Sequence, residues 1–308
     1  MLDWNVAIYC MNEAPRLRRC LDSVRRALGD RRALVTVIFN GTTDDGIQIA
    51  EEAGRAGMAM EIWRIPSADK SNAINQFFYH LRKPARLYGA VDGYTEIGAD
   101  AFGALERRLD ASPHALAMSG SSTTGRSMQR FTRQTLAEGG RLHGQFHALR
   151  PDFVDRFVAR GIRLPIGLYW GDGLLCSMCA HDLDALGQPW DNMRAQGAAE
   201  ATYTLPVLSM FRPSDIRRQF RRQIRQMRGR IQNAAIKQIV YRGNYEALPE
   251  DADDMAREHV AQYGAPPAAM ADRAFQWLAL RELRRPKPDQ RPNFTPRLVN
   301  AYPAGAAT

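Results

Sequence analysis

Arg86-Leu87-Tyr88-Gly89-Ala90-Val91-Asp92-Gly93-Tyr94-Thr95-Glu96 is the stretch whose reading decides the fold. The apolar run 86–91 reads as a buried strand, and the pattern Ala99–Ala111 that follows reads as a helix. A strand that turns on an acid and runs into a helix is one β–α unit. Ligands of alternating α/β folds bind beyond the C-terminal ends of such strands. Asp92 stands at such an end. Alone, an acid there is more often a turn or helix-entry residue, so its neighbours must decide.

Three units of the same kind precede it. Asn5–Cys10 reads as a strand, and Met11-Asn12-Glu13-Ala14-Pro15 follows. Pro15 suits a first helical turn, where a missing N–H costs nothing. Leu17, Cys20, Leu21, Val24 and Leu28 then fall on one helical face. Leu34–Phe39 is apolar throughout, as central parallel strands are. It runs into Asn40-Gly41-Thr42-Thr43-Asp44-Asp45, which holds turn residues and then N-cap candidates. A helix to about Ala56 and a third strand, Met58–Ile65, come next. After a turn at Pro66–Asp69, Lys70-Ser71-Asn72-Ala73-Ile74-Asn75 opens a helix whose buried face is Ile74, Phe77, Phe78 and Leu81. The helix after Asp92 buries Phe102, Leu105 and Leu109. Four successive β–α units predict a parallel sheet with right-handed crossovers.

Downstream the pattern loosens. Ala115–Ser119 is a fifth apolar run, and 119–130, rich in Gly, Ser and Thr, reads as a loop. Residues 144–150 read as a short strand. Leu164-Pro165-Ile166-Gly167-Leu168-Tyr169-Trp170-Gly171-Asp172-Gly173 leads into an apolar helix, Leu174–Leu186. Ala201–Ser209 reads as a strand, and Ser214 as the cap of a long basic helix to about Tyr241. Two more helices are expected at Asp251–Tyr263 and Pro267–Arg284, then an extended or disordered Pro-rich tail beyond Pro286. The expected divisions are 1–212, 213–245 and 246–308.

Composition narrows the class. The chain has 308 residues, 45% hydrophobic and 24% charged, as ordinary globular proteins have. No apolar run approaches the ~18 residues of a membrane-spanning helix. The first residues lack the order of a signal peptide, so a cytoplasmic location is expected. Of the four cysteines, Cys176 and Cys179 have metal-ligand spacing. A zinc site takes about four ligands, and no second pair exists, so both read as apolar residues of a buried helix. Cys10 and Cys20 fall in a strand and its following helix, and no disulfide framework is expected. The net charge of +9 comes largely from the run Arg212–Arg230. Such a run suits nucleic acid, an anionic membrane or a phosphate-bearing ligand. The two commonest nucleotide fingerprints, a Gly-x-Gly-x-x-Gly turn and a phosphate-loop Lys, are absent.

The order and spacing of these motifs resemble the inverting family 2 glycosyltransferases, which have the GT-A fold. The likeness covers roughly Asn5–Gln232. It implies a mostly parallel central sheet with helices on both faces, followed here by a C-terminal helical extension. Met11-Asn12-Glu13 stands for the family's Tyr-Asn-Glu segment, which lies against the donor's nucleoside. Asn40-Gly41-Thr42-Thr43-Asp44 stands for Asp-Asp-Gly-Ser-Thr-Asp, with Asn40 in place of the base-binding acid. An amide can still serve there as donor and acceptor. Lys70-Ser71-Asn72-Ala73-Ile74-Asn75 matches best, and its likeness implies that Lys70 and Asn75 lie near the donor's phosphates or sugar. Asp92-Gly93-Tyr94 occupies the Asp-x-Asp position, where paired carboxylates hold a divalent ion, Mg²⁺ or Mn²⁺, on the diphosphate. Here Tyr94 replaces the second Asp, which leaves Asp92 as the metal ligand, with Glu96, two positions beyond Tyr94, as a further carboxylate.

Gly171-Asp172 resembles the Glu-Asp motif whose Asp is the general base, with Gly171 in place of the first acid. An acceptor hydroxyl needs such a base. Asp182 and Asp184 are the weaker candidates. Tyr169 and Trp170 suit either stacking on a sugar or core packing. Arg225 and Arg228 fall in a segment like the family's Gln/Arg-x-x-Arg-Trp and would neutralise a departing pyrophosphate. Arg217, Arg218 and Arg221 suit anionic headgroups at the inner face of a membrane.

The resemblance thus implies a hexosyltransferase that uses a nucleotide-diphospho-sugar, UDP-sugar favoured, and a hydroxyl-bearing acceptor. Cell-surface polysaccharide, glycolipid and secondary-metabolite glycosylation are the expected settings. The alternatives are a binding or regulatory protein on a decayed transferase fold, and a nucleic-acid-binding protein. The last is not expected, because the basic run has almost no aromatic residues for stacking beyond Phe220.

Overall fold

Successive side chains of a strand face opposite ways. In β1 (Leu2–Cys10), Val6, Ile8 and Cys10 enter one core while Ala7 and Tyr9 enter another. Both faces are covered, so the strand reads as one apolar run. A computed structural model describes residues 1–206, 213–285 and 291–303.

The predicted β–α units all form. β1 is followed by α1 (Ala14–Leu28), β2 (Ala33–Asn40), α2 (Gly46–Arg55) and β3 (Met60–Ile65). Then come α3 (Lys70–Gln76), which continues as a π-helical turn over Phe77–Leu81, and β4 (Ala85–Asp92). These strands pair in parallel in the order β4-β1-β2-β3. The chain runs outward from β1 to β3, then returns to the other side of β1. The crevice between β1 and β4 is therefore a topological switch point, the place where open α/β sheets bind ligands.

Beyond β4 the sheet becomes mixed. β5 (Glu96–Ile97), α4 (Ala101–Asp110), β6 (Ala117–Ser122), α5 (Arg126–Glu138), β7 (Phe146–Leu149), α6 (Pro151–Ala159), α7 (Gly171–Ala180) and β8 (Ala195–Thr204) follow in the chain. β7 runs antiparallel to both β4 and β6, while β8 is parallel to β6. α8 (Pro213–Gly243), α9 (Ala252–Tyr263), α10 (Arg273–Leu283) and β9 (Arg297–Tyr302) complete the described chain. The nine strands order as β5-β8-β6-β7-β4-β1-β2-β3-β9, with helices on both faces.

Several expectations need correction. Residues 119–130 are not a loop: they close β6 and open α5. Ser119, Ser121 and Ser122 tolerate burial because each is hydrogen-bonded, as in Ser121 Oγ to the Ala198 carbonyl at 2.8 Å. The helix expected over Leu174–Leu186 instead begins at Gly171 and ends at Ala180, and Asp182 and Leu183 turn the chain with positive φ. β8 begins earlier than expected, at Ala195; residues 207–209 of the predicted strand and the side chain of Ser214 lie outside the described residues.

The tail past Pro286 is not merely extended, although 286–290 and 304–308 lie outside the described residues. β9 joins the sheet edge antiparallel to β3. The ring of Tyr302 lies against the backbone of Gly54, so closely that a Cβ there would come within 2.3 Å of it. Gly54→Val is therefore expected to push β9 off, at a cost of about 1–3 kcal/mol. Hydrogen exchange at 297–302 would report this as lost protection, and unchanged protection there would refute it.

α8, α9 and α10 share a separate small core of Ile224, Met227, Ile231, Ala256, Ala279 and Leu283. Among the described residues no helix is long and apolar enough to cross a membrane.

Candidate functional site

The register of the parallel pair sets Tyr9 opposite Asp92 at the mouth of the β1–β4 crevice. The chain leaves β4 sharply. Gly93 donates its N–H to the Tyr9 carbonyl at 2.9 Å, and a Cβ at Gly93 would lie 2.5 Å from Cys10 Sγ. Only glycine lets the turn pass so close to β1.

Asp92 is buried, and each of its carboxylate oxygens meets a partner. Oδ2 accepts the Tyr94 hydroxyl at 2.7 Å, and Oδ1 forms an ion pair with Lys70. Burial and the negative charge of Asp92 hold the Tyr94 hydroxyl well above the usual phenol range, so it stays a donor. Lys70 is the first residue of α3, whose N-cap Asp69 accepts from Asn72 N and from Gly167 N, each at 2.6 Å. The Lys70 ammonium also donates to the Gly144 carbonyl at 3.1 Å and lies 5.8 Å from the Tyr9 ring. The Lys70 side chain remains 41% exposed, so the ammonium is reachable from the cleft.

Gly144 joins the second acid to this cluster. A Cβ at Gly144 would lie 2.6 Å from Asp172 Oδ2. Asp172 lies in the first turn of α7, and its Oδ1 accepts from Gly173 N at 2.9 Å. Burial raises its pKa above the usual carboxylate range, the charge of Lys70 opposes this, and Asp92 adds to it. Asp182 is paired with Arg156 at 2.7 Å, and Asp184 accepts from Gly187 N and Asn244, so neither rivals Asp172.

The loops after β1 and β2 form the adjoining lip. Asn12 takes a positive φ, and its Oδ1 accepts from Thr43 N at 2.8 Å, which ties the two loops together. Asp44 accepts from Ala14 N and Gly46 N, so it anchors the starts of α1 and α2. Glu13 pairs with Arg16 at 3.2 Å; burial raises its pKa, while the charges of Arg16 and Arg218 lower it. Asn40, 4% exposed at the end of β2, hydrogen-bonds no described residue through its side chain.

Other expected residues are engaged by groups of the protein itself. Both ends of the Asn75 amide are engaged by the backbone of Leu164, each at 2.9 Å. Arg228 is held by buried Asp253 and by the Gly167 carbonyl at 3.1 Å. It positions the loop 165–170. Arg225 lies over the Tyr169 ring at 5.5 Å, and Trp170 Nε1 donates to Gln226 at 3.2 Å, so both aromatics pack on α8. Beside them, Arg217, Arg218, Arg221, Arg225, Arg228 and Glu282 line a groove of about 680 Å³.

Sequence reasoning missed Tyr94 as a partner of Asp92, and it missed Gly144. It also missed residues 293 and 294: Ser67 N donates to the Asn293 carbonyl and Asn72 Nδ2 to the Phe294 carbonyl, each at 3.1 Å. Only Tyr94 carried a signal, as the phenol hydroxyl within the acidic turn. Among the described residues no group of three or more His, Cys, Asp or Glu could hold a metal ion. Glu96 lies on β5 and reaches Arg19 at 3.8 Å, and all four cysteines are buried and free.

No family model matches the sequence, and the search of curated proteins gives no match. Solved structures do resemble it. The mannosyltransferase PcManGT from Pyrobaculum calidifontis, in complex with GDP-Man and Mn²⁺, is 16% identical with a TM-score of 0.57, over 92% of this chain and 81% of that one. S. aureus TarS 1-349 is 14% identical with a TM-score of 0.54, over 92% of this chain and 80% of that one. TarS 1-349 in complex with UDP-GlcNAc is 15% identical with a TM-score of 0.51, again over 92% and 80%. The chain thus has a GT-A-like fold, shared with these glycosyltransferases.

Proposed function

We propose that this protein is a GT-A glycosyltransferase that moves a sugar from a nucleotide-diphospho-sugar to an acceptor hydroxyl with inversion. The observation that carries this reading is the joining of Lys70, Asp92 and Asp172 through Gly144 at the switch point of the sheet. The similar structures add that nucleotide sugars, GDP-Man and UDP-GlcNAc, are bound on this fold.

Asn12, Glu13, Asn40 and Asp44 form the nucleoside side. Asn40 contributes an amide free to meet a base, and Asn12 and Asp44 fix the loops that shape the pocket. Lys70, steadied by Asp92 and Gly144, faces the diphosphate. Asp172 takes the proton from the acceptor hydroxyl, which attacks the anomeric carbon opposite the leaving nucleotide. Its raised pKa makes it a stronger base than an exposed carboxylate. The arginine groove along α8 suits an anionic acceptor or the inner face of a membrane, consistent with a cytoplasmic enzyme at that surface.

The PcManGT complex contains Mn²⁺, and the motif resemblance implies a divalent cation on Asp92. The described residues fit one poorly. Asp92 already accepts from Lys70 and Tyr94, and no second carboxylate stands at position 94. No step of the mechanism is therefore routed through a metal.

The reading is tested by incubating purified protein with UDP-, GDP-, CMP- and dTDP-sugars, with and without Mn²⁺, and measuring free-nucleotide release and thermal shift. Release from one donor, raised by an acceptor, is expected. Neither release nor thermal shift with any donor would favour the decayed-fold alternative.

The raised pKa of Asp172 gives a pH signature. The working form is the carboxylate, so rate is lost as pH falls through the folded-state pKa. That acid limb is expected above the ordinary Asp value of ~3.9. Lys70→Gln removes the charge that opposes burial and is expected to shift the limb higher still. Initial-rate profiles of both proteins check this. A wild-type limb at or below the ordinary value would remove Asp172 as the base.

A further inference from the structure

We infer that the ammonium of Lys70 stands in for a divalent cation, so that the donor's diphosphate binds this protein without metal. The inference rests on the transferase reading and deepens it.

The geometry carries the point. An ammonium has three N–H donors. Lys70 gives one to Asp92 and one to the Gly144 carbonyl, which leaves one for the cleft. The Asp92 carboxylate also accepts the Tyr94 hydroxyl, through its other oxygen. A carboxylate at position 94 would present a second acceptor and a second negative charge, the pair that attracts a divalent ion. A hydroxyl presents a donor instead, and Asp92 becomes an anchor for Lys70.

A divalent cation entering here would have to displace Lys70 from Asp92, with one carboxylate as its protein ligand. Mg²⁺ can be held by a single carboxylate plus substrate phosphates, but here that carboxylate's charge is already balanced by an ammonium. The approaching diphosphate instead meets an exposed cation whose position is fixed at two points. The lysine is a compact point charge, as phosphate binding by lysine requires. This side chain is 41% exposed, so it stays open to the cleft. The basic start of α8 adds to the field, since the charge of Arg218 already reaches Glu13 on the donor lip.

The experiment is calorimetric titration with UDP and with GDP, each in EDTA and in MnCl₂. It uses the wild type, Lys70→Ala, Lys70→Gln and the double variant Lys70→Ala/Tyr94→Asp, each checked for folding by circular dichroism. For whichever nucleotide binds, the two wild-type affinities are expected to agree within about threefold. Lys70→Ala and Lys70→Gln should each lose at least about tenfold, the span of one charge-assisted hydrogen bond. The double variant restores two acids without the lysine, and its binding is expected to become Mn²⁺-dependent. Wild-type binding that needs Mn²⁺, or lysine variants that bind as tightly as wild type, would overturn the inference and leave the transferase reading standing. Binding of neither nucleotide in either buffer, together with no release from any of the four donor classes, would instead overturn the transferase reading beneath it.

Discussion

Asp172→Asn is expected to lower sugar transfer by about 10²–10⁴-fold, the span that a positioned general base supplies, while donor affinity stays within about threefold of wild type. The substitution is nearly isosteric. The amide oxygen of the introduced side chain can still accept from Gly173 N, so the start of α7 should keep its shape. What goes is the lone pair that takes the acceptor's proton. The variant also has a signature in stability. Burial disfavours the ionised Asp172 in the folded protein, so a neutral amide should leave the melting temperature unchanged or raise it. A variant that is slow because it is misfolded would melt lower. Full transfer rate in Asp172→Asn would show that the proton leaves by another route.

Asp253→Ala carries the largest expected effect on stability, about 3–5 kcal/mol, because it leaves a charge without its buried partner. Asp253 is 2% exposed, and it accepts from Arg228 Nε at 2.7 Å and from Gln232 at 3.0 Å. These contacts tie α8 to α9. Arg228 and Gln232 also hold the Gly167 carbonyl, at 3.1 and 3.0 Å. That carbonyl belongs to the loop leading into Asp172, so the variant should lose transfer as well as stability. Urea unfolding gives the first effect, and faster hydrogen exchange at 165–173 gives the second. The pair Asp253→Leu and Arg228→Met is expected to recover much of the stability, since an apolar replacement removes both charges together. A loss below about 1 kcal/mol in Asp253→Ala would place the pair among surface contacts.

The parallel half of the fold was legible because several local signals agree there. Apolar runs such as Leu34–Phe39 end in Asn-Gly or Pro turns, and helical spacing resumes after each. Lys70, Asp92 and Asp172 were legible as charged residues just past such runs. The observed partners of Asn75 and Asn72 were not legible, for a physical reason. Their partners are backbone groups far away in sequence, at Leu164 and Phe294, and distant pairing leaves no trace in local composition. The buried serines of β6 misled for the opposite reason. Serine is a turn former by local chemistry, yet here a neighbouring strand satisfies the Ser121 hydroxyl. Gly144 acts through a carbonyl and a missing Cβ, neither of which composition can report.

The closing of the sheet by β9 bears on how the protein reaches its native state. An unpaired strand edge offers its N–H and C=O groups to any other chain. β3 is such an edge until β9 docks, and the Asn72–Phe294 bond beside that pairing spans 222 residues. Loop closure over such a separation is entropically costly and slows folding. Until its distal segment returns, a newly made chain leaves β3, with buried Met60, Ile62 and Ile65, at the edge; afterwards the edge is β9, whose side chains are mostly exposed.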